Sequence, residues 1–234
     1  PAEVWTFDLP WSGLHGTDWP HAMDAAAWWG AALAQCPVTP DVCVGHSFGA
    51  SVLLDWLSQQ PAAAAHLSGL VLISPHYLGT SKLAEWQDLN RFALDIPQQL
   101  AAALRVRMSP GSSHNTDLLA SMVKVLERRI LPDGLLEFFR LLLKSRTWDV
   151  GSWTFPVQVV AGECDSAEVR ESAVALRDAI QHASLVRLPR CGHHPMQESP
   201  QELDRVLAAF LSVLESSAAL GRELRPLHER GLHI

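Results

Sequence analysis

The 234-residue chain predicts an α/β fold: a mostly parallel open sheet with helices on both faces, plus an inserted helical cap. Two observations carry this reading. Short apolar strand signals alternate with segments of helical period, the pattern that builds parallel sheets with crossover helices. One long stretch, 76–150, breaks the alternation and contains only helical patterns. Such a strand-free insertion is the usual form of a lid over a site. The expected organisation is a core of 1–75 and 151–216, a cap of 76–150 and a tail of 217–234.

The elements follow in order. Glu3–Leu9 (EVWTFDL), ending at Pro10, reads as a strand. Trp11–Pro20 reads as a loop, and Ala22–Ala34 as an Ala-rich helix stopped near Pro37. Asp41–Gly45 (DVCVG) is a second strand, apolar enough for burial on both faces. Phe48–Gln59 is a helix with Val52, Leu53, Trp56 and Leu57 on one side, and Leu67–Ile73 is a third strand. Within the cap, helices are expected at Leu83–Ala93, Ile96–Val106, Leu118–Leu131 and Leu135–Leu143. Strands return at Pro156–Ala161 and Leu185–Leu188, followed by helices over Ala167–Gln181 and Gln201–Leu214. Ser199 suits the N-cap of the last helix, with Pro200 at its first position and Glu202 as the acid of a capping box. The tail after Ser216 is weakly patterned and reads as partly disordered.

Composition narrows the functional classes. Eighteen Lys and Arg against 25 Asp and Glu give a net charge of −7, with no basic excess to neutralise phosphates. Nucleic acid is therefore not an expected partner. No apolar run approaches the length of a membrane span, and the N-terminus PAEVWTFDLP has no signal-peptide pattern. Four cysteines without a CxxC pair read as reduced thiols of a cytoplasmic protein, and Cys164 and Cys191, each beside a candidate site residue, read as unpaired thiols packed in loops. The wealth of Ala, Leu and Arg points to a bacterial source with a GC-rich genome. HExxH, glycine-rich phosphate-loop and EF-hand patterns are missing, so the sequence implies no cofactor and no metal.

The chemistry concentrates at Gly45-His46-Ser47-Phe48-Gly49, a G-x-S-x-G pattern after a strand and before a helix. A nucleophile on so sharp a turn needs small neighbours two residues away on each side, which Gly45 and Gly49 supply. The Phe48 N–H, at the start of a helix, can donate to a developing oxyanion. A serine needs a base and an orienting acid. Asp165, in the loop after PVQVVA, and His193, in the loop after LVRL, stand in the chain order Ser, acid, His. His46, His76 and Trp11 are further candidates for the substrate-binding surface. Apolar cap residues that face the cavity, drawn from Trp86, Phe92, Met108, Met122, Phe138, Phe139 and Trp148, would form an acyl pocket.

With its GHSFG elbow, the G-x-x-D of Gly162–Asp165 and the segment CGHHPMQESP, the chain resembles the α/β-hydrolase superfamily over essentially its whole length. The resemblance assigns the nucleophile to Ser47, the acid to Asp165 rather than Glu163, and the base to His193 rather than His194. It implies a serine hydrolase acting on an ester or thioester of a small, largely apolar acyl group, free or carrier-bound. Triad-bearing non-hydrolytic enzymes (cyclase, lyase or acyltransferase) and a hydrolase-like ligand sensor are the alternatives. The pattern departs from the family at FDLPWSG, where Trp11 stands in place of a glycine. The family's earlier strands and its His-Gly oxyanion loop have no clear counterpart, so the resemblance implies a lost N-terminal segment. His15-Gly16 is a weaker candidate for that loop.

Overall fold

Strand order in the sheet follows chain order. β1 (Val42–His46), β2 (Gly69–Ile73), β3 (Val157–Gly162) and β4 (Ala183–Leu188) lie side by side, all parallel. The computed structural model describes residues 3–7, 9–10, 24–79, 86–108, 115–127 and 132–228. Among these, α1 (Ala25–Leu33) precedes β1, and α2 (Phe48–Gln59) and α3 (Pro61–Ala64) connect β1 to β2. The insertion between β2 and β3 holds α4 (Trp86–Arg107), α5 (Thr116–Glu127) and α6 (Pro132–Lys144). α7 (Ala167–Ala179) connects β3 to β4, and α8 (Pro195–Glu198) and α9 (Pro200–His228) follow β4.

Side-chain alternation along the strands divides the core into two layers. Leu70, Leu72, Val157 and Val159 join Leu54 and Leu57 of α2 and Leu176 of α7 on one face. Val71, Ile73, Val160 and Leu188 meet Leu203, Phe210 and Leu214 of α9 on the other. Every residue of β2 and β3 is buried, as a strand covered on both faces requires.

Several elements depart from the sequence reading. Glu3–Phe7 and Leu9 are not in a strand. A single strand gains nothing without a ladder partner, and this segment packs by placing Phe7 edge-on against Trp29, 5.3 Å between ring centroids. β1 was expected to be buried on both faces, yet Val44 is 54% exposed. Among the described residues β1 pairs only with β2, so its other side has no strand partner there. The two helices expected at 83–93 and 96–106 are one helix, α4, with Pro97 inside it. The tail expected after Ser216 continues as helix to His228. At the start of α9, Glu202 pairs with Arg205 at 2.7 Å.

The roots of the insertion are tied to the core by buried polar groups. The Leu78 N–H donates to Ser145 Oγ at 3.1 Å, and the Tyr77 N–H to Ser172 Oγ at 3.0 Å. Asp55, on α2 and fully buried, accepts from Trp148 Nε1 at 2.8 Å, Gln59 Nε2 at 2.8 Å and Lys144 Nζ at 2.7 Å. Three donors from two directions satisfy a carboxylate that burial alone would make costly. Removing it leaves the Lys144 ammonium and the Trp148 indole N–H without their acceptor. Asp55→Ala is therefore expected to lower stability by about 3 kcal/mol, measured as the shift in urea-denaturation midpoint against wild type. A change within experimental error would show that the pairing carries no net stability.

Candidate active site

Ser47 occupies the corner between β1 and α2 with φ 52° and ψ −117°, a backbone conformation that non-glycine residues rarely adopt. The corner is held by the Ser47 N–H donating to the Ile73 carbonyl at 2.9 Å and by the Ser47 carbonyl accepting from Ala50 at 3.0 Å. Gly45 is required here: a Cβ would lie 2.8 Å from the Ala50 Cα, so any side chain would push α2 off β1. The matching demand expected at Gly49 is not found. A Cβ there would meet nothing within 4 Å among the described residues.

Loops after β3 and β4 deliver the partners. The Ser47 hydroxyl donates to His193 Nε2 at 2.8 Å. His193 Nδ1 donates to the Asp165 carboxylate, 3.0 Å to Oδ1 and 3.1 Å to Oδ2. Both Asp165 and His193 are buried. Burial pushes the Asp165 pKa up. The His193 hydrogen bond and charge and the Ser166 N–H, donating at 2.7 Å, outweigh it and leave the carboxyl below its ordinary value. The geometry thus unites Ser47, His193 and Asp165 in one hydrogen-bonded chain and leaves His194 out of it.

The other candidates surround this chain. His46 Nε2 donates to the His193 carbonyl at 2.8 Å, and its ring lies 5.2 Å from that of His193. His76, buried after β2, lies 5.8 Å from His193 and edge-on to Phe138 of α6 at 4.8 Å. Phe138 also meets Phe48 at 6.1 Å, so this residue of the insertion reaches the serine corner. Phe48 itself opens α2, with its backbone in the first turn of that helix. Trp11 and His15-Gly16 lie outside the described residues. Cys164 and Cys191 are neighbours: the Cys164 N–H donates to the Cys191 carbonyl at 2.8 Å, and both thiols are free.

Two contributors escaped the sequence reading. Gly162, noted only as part of a motif, is where the loop before His193 crosses the end of β3. A Cβ would lie 2.1 Å from the Cys191 carbonyl oxygen. Glu198 accepts from the backbone N–H groups of Gly192 and His194, on either side of His193. A glycine at a strand end and an acid four residues after a histidine are both too common to stand out unaided. Among the described residues no cluster of His, Cys, Asp or Glu suits a metal ion, and no helix is long and apolar enough to cross a membrane.

A family model described as "Alpha/beta hydrolase family" matches residues 1–206. The chain belongs to the α/β-hydrolase family. No curated protein sequence matches it. Solved structures of this hydrolase fold do. The meta-cleavage product hydrolase CumD from Pseudomonas fluorescens IP01 is similar with a TM-score of 0.62 and 18% identity, over 88% of this chain and 78% of that one. The esterase RhEst1 from Rhodococcus sp. ECU1013 gives 0.56 and 18%, over 81% and 72%. Est816, an N-acyl homoserine lactone degrading enzyme, gives 0.58 and 21%, over 79% and 73%. At these identities the likeness is one of fold.

Burial disfavours the charged form of three histidines beside Ser47 in this hydrolase. Burial, followed by the charge on His193, brings His46 down to about 4 and His76 to about 3, and lowers His194 as well. The sign of the linkage follows. Below about pH 6.5 an unfolded histidine takes up a proton, whereas folded His46 and His76 resist until about 4 and about 3. Stability is therefore full above pH 6.5 and is lost as the pH falls toward those values. The slope is at most about 1.4 kcal/mol per pH unit for each histidine. Urea-denaturation midpoints from pH 7.5 to 4.5 are expected to fall, and less steeply in His46→Gln; a flat wild-type profile would contradict the burial argument.

Proposed function

We propose that the protein is a serine hydrolase that cleaves an ester or thioester of a small, largely apolar acyl group through an acyl-enzyme. The observation that carries this reading is the continuous chain Ser47 Oγ, His193 Nε2, His193 Nδ1, Asp165, with contacts of 2.8 Å and 3.0 Å. In this reading the His193 Nε2 takes the Ser47 proton as Oγ attacks the carbonyl carbon. Asp165 holds the ring in the tautomer that leaves Nε2 free and steadies the imidazolium. The Phe48 N–H, at the positive end of α2, stabilises the oxyanion. His193 then protonates the leaving alcohol or thiol, and water activated by the same imidazole hydrolyses the acyl-serine. No cofactor enters this scheme.

The surroundings of Ser47 support this substrate class. Phe48, Phe138 and a neutral His76 present apolar, uncharged surface there. An uncharged acyl group loses little on entering such a site, whereas a charged one would be stripped of water without a partner. Helices α4–α6 act in this reading as the cap, with Phe138 as its contribution to the acyl site, and a carrier-bound acyl group is admissible chemistry.

A fluorophosphonate probe should label the wild-type protein and not Ser47→Ala, read by intact mass. With p-nitrophenyl and thioester substrates of short apolar acids, Ser47→Ala and His193→Ala are each expected to lose at least about 10³-fold in kcat. His194→Ala should stay within about tenfold of wild type. Equal losses at the two histidines would mean that the base is misassigned. Products of cyclisation or transfer in place of the free acid would replace hydrolysis by the alternative chemistry of the same acyl-enzyme.

A further inference from the structure

The assignment of His193 as base, on which this inference rests, leaves open how its main chain is held. The loop crosses the end of β3 with its peptide groups gripped by side chains. The Gly192 N–H donates to Glu198 Oε2 at 2.7 Å and the His194 N–H to Glu198 Oε1 at 2.9 Å. One carboxylate therefore spans the peptides on both sides of the base. It comes so close that a Cβ on Gly192 would lie 2.9 Å from Oε2. From the opposite side, His46 Nε2–H donates to the His193 carbonyl at 2.8 Å. The Cys191 carbonyl is held by the Cys164 N–H at 2.8 Å, and the His194 carbonyl by the Gln197 and Glu198 N–H groups, each at 2.9 Å.

We propose that Glu198 is a positioning residue for His193: its carboxylate bridges the N–H groups flanking the base and, with His46 on the base's own carbonyl, fixes the imidazole over Ser47. Asp165 fixes the ring's rotation through Nδ1, whereas Glu198 and His46 fix the backbone from which the ring hangs. General-base transfer tolerates only a few tenths of an ångström of drift. A loop stitched by main-chain turns alone would not supply that rigidity.

Among the described residues the titratable groups around His193 include Asp165 and Cys164 in the loop after β3, His46 at the end of β1, His76 after β2, and Cys191, His194 and Glu198 on its own segment. Burial lowers the pKa of His46, His76 and His194. Replacing Glu198 by Gln keeps the shape but turns one acceptor into a donor facing an N–H.

The test is the low-field Nδ1–H signal of His193 in proton NMR, assigned by its loss in His193→Gln, in wild type, Glu198→Gln and Glu198→Asp. That proton lies in the hydrogen bond to Asp165, and its line is expected to be resolved in wild type and broadened in Glu198→Gln, where the ring is held less firmly. With a p-nitrophenyl ester, kcat is expected to drop about 10- to 100-fold with KM within twofold. Glu198→Asp is too short to bridge both N–H groups and should likewise broaden the signal and lose kcat, which keeps the proposal open to refutation if Glu198→Gln does not fold. An unchanged Nδ1–H line with wild-type turnover in Glu198→Gln, or wild-type turnover in Glu198→Asp, would overturn it. Failure of the fluorophosphonate to label wild-type Ser47 would instead strike the acyl-enzyme reading, while the Nδ1–H line would still decide the role of Glu198.

Discussion

The missing side chain at position 162 is the constraint on which the site depends. β3 and β4 run in parallel register with Gly162 opposite Leu188, so their loops leave the sheet side by side. Adjacency alone does not bring Asp165 to His193. The chain after β4 must fold back across the end of β3, and it does so with the Cys191 carbonyl where a Cβ of residue 162 would stand. The Cys164 N–H then meets that carbonyl, and the two loops become one hydrogen-bonded layer. The strained turn at Ser47 is anchored to the neighbouring β2 through Ile73. A substitution at Gly162 would therefore act on the contact between Asp165 and His193 before it acted on either residue.

Electrostatics divides labour among histidines that are chemically identical. His46, His76, His193 and His194 crowd one corner, with neighbouring ring centroids 5.2 to 5.8 Å apart. If several carried protons, the corner would repel itself. Burial lowers the pKa of three of them, and the charge of His193 lowers each further. The His193 ring carries the Asp165 carboxylate on Nδ1. In the proposed reaction, positive charge develops on that imidazole among neighbours whose charged form burial disfavours, and they supply packing and hydrogen bonds.

Legibility in the sequence followed the range of the interaction. The α2 helix read from the sequence as Phe48–Gln59 has those bounds in the structure, because apolar period and flanking residues define it locally. Ser47, Asp165 and His193 were legible because each stands just past a strand, and parallel strands gather their C-terminal ends at one edge. Non-local features were not legible. The strand expected at Glu3–Leu9 depended on a ladder partner that local pattern cannot supply. The exposure of Val44 depends on which elements flank β1, and local pattern does not set that. Nothing in the sequence singles out Glu198, and only the fold shows its carboxylate turned back toward Gly192 and His194. The gap read at 94–95 between two helices is absent, because α4 runs through it with Pro97 inside the helix.

The insertion's roots explain how a helical segment can shape the site without loosening it. Tyr77 and Leu78, leaving β2, are pinned by Ser172 of α7 and by Ser145 beyond α6. The returning end is pinned to α2 itself, through Asp55 with Lys144 and Trp148. Because α2 carries both Asp55 and the corner that bears Ser47, the anchor of the insertion and Ser47 share one rigid body. The face of α6 that presents Phe138 to Phe48 and His76 is thereby set relative to Ser47.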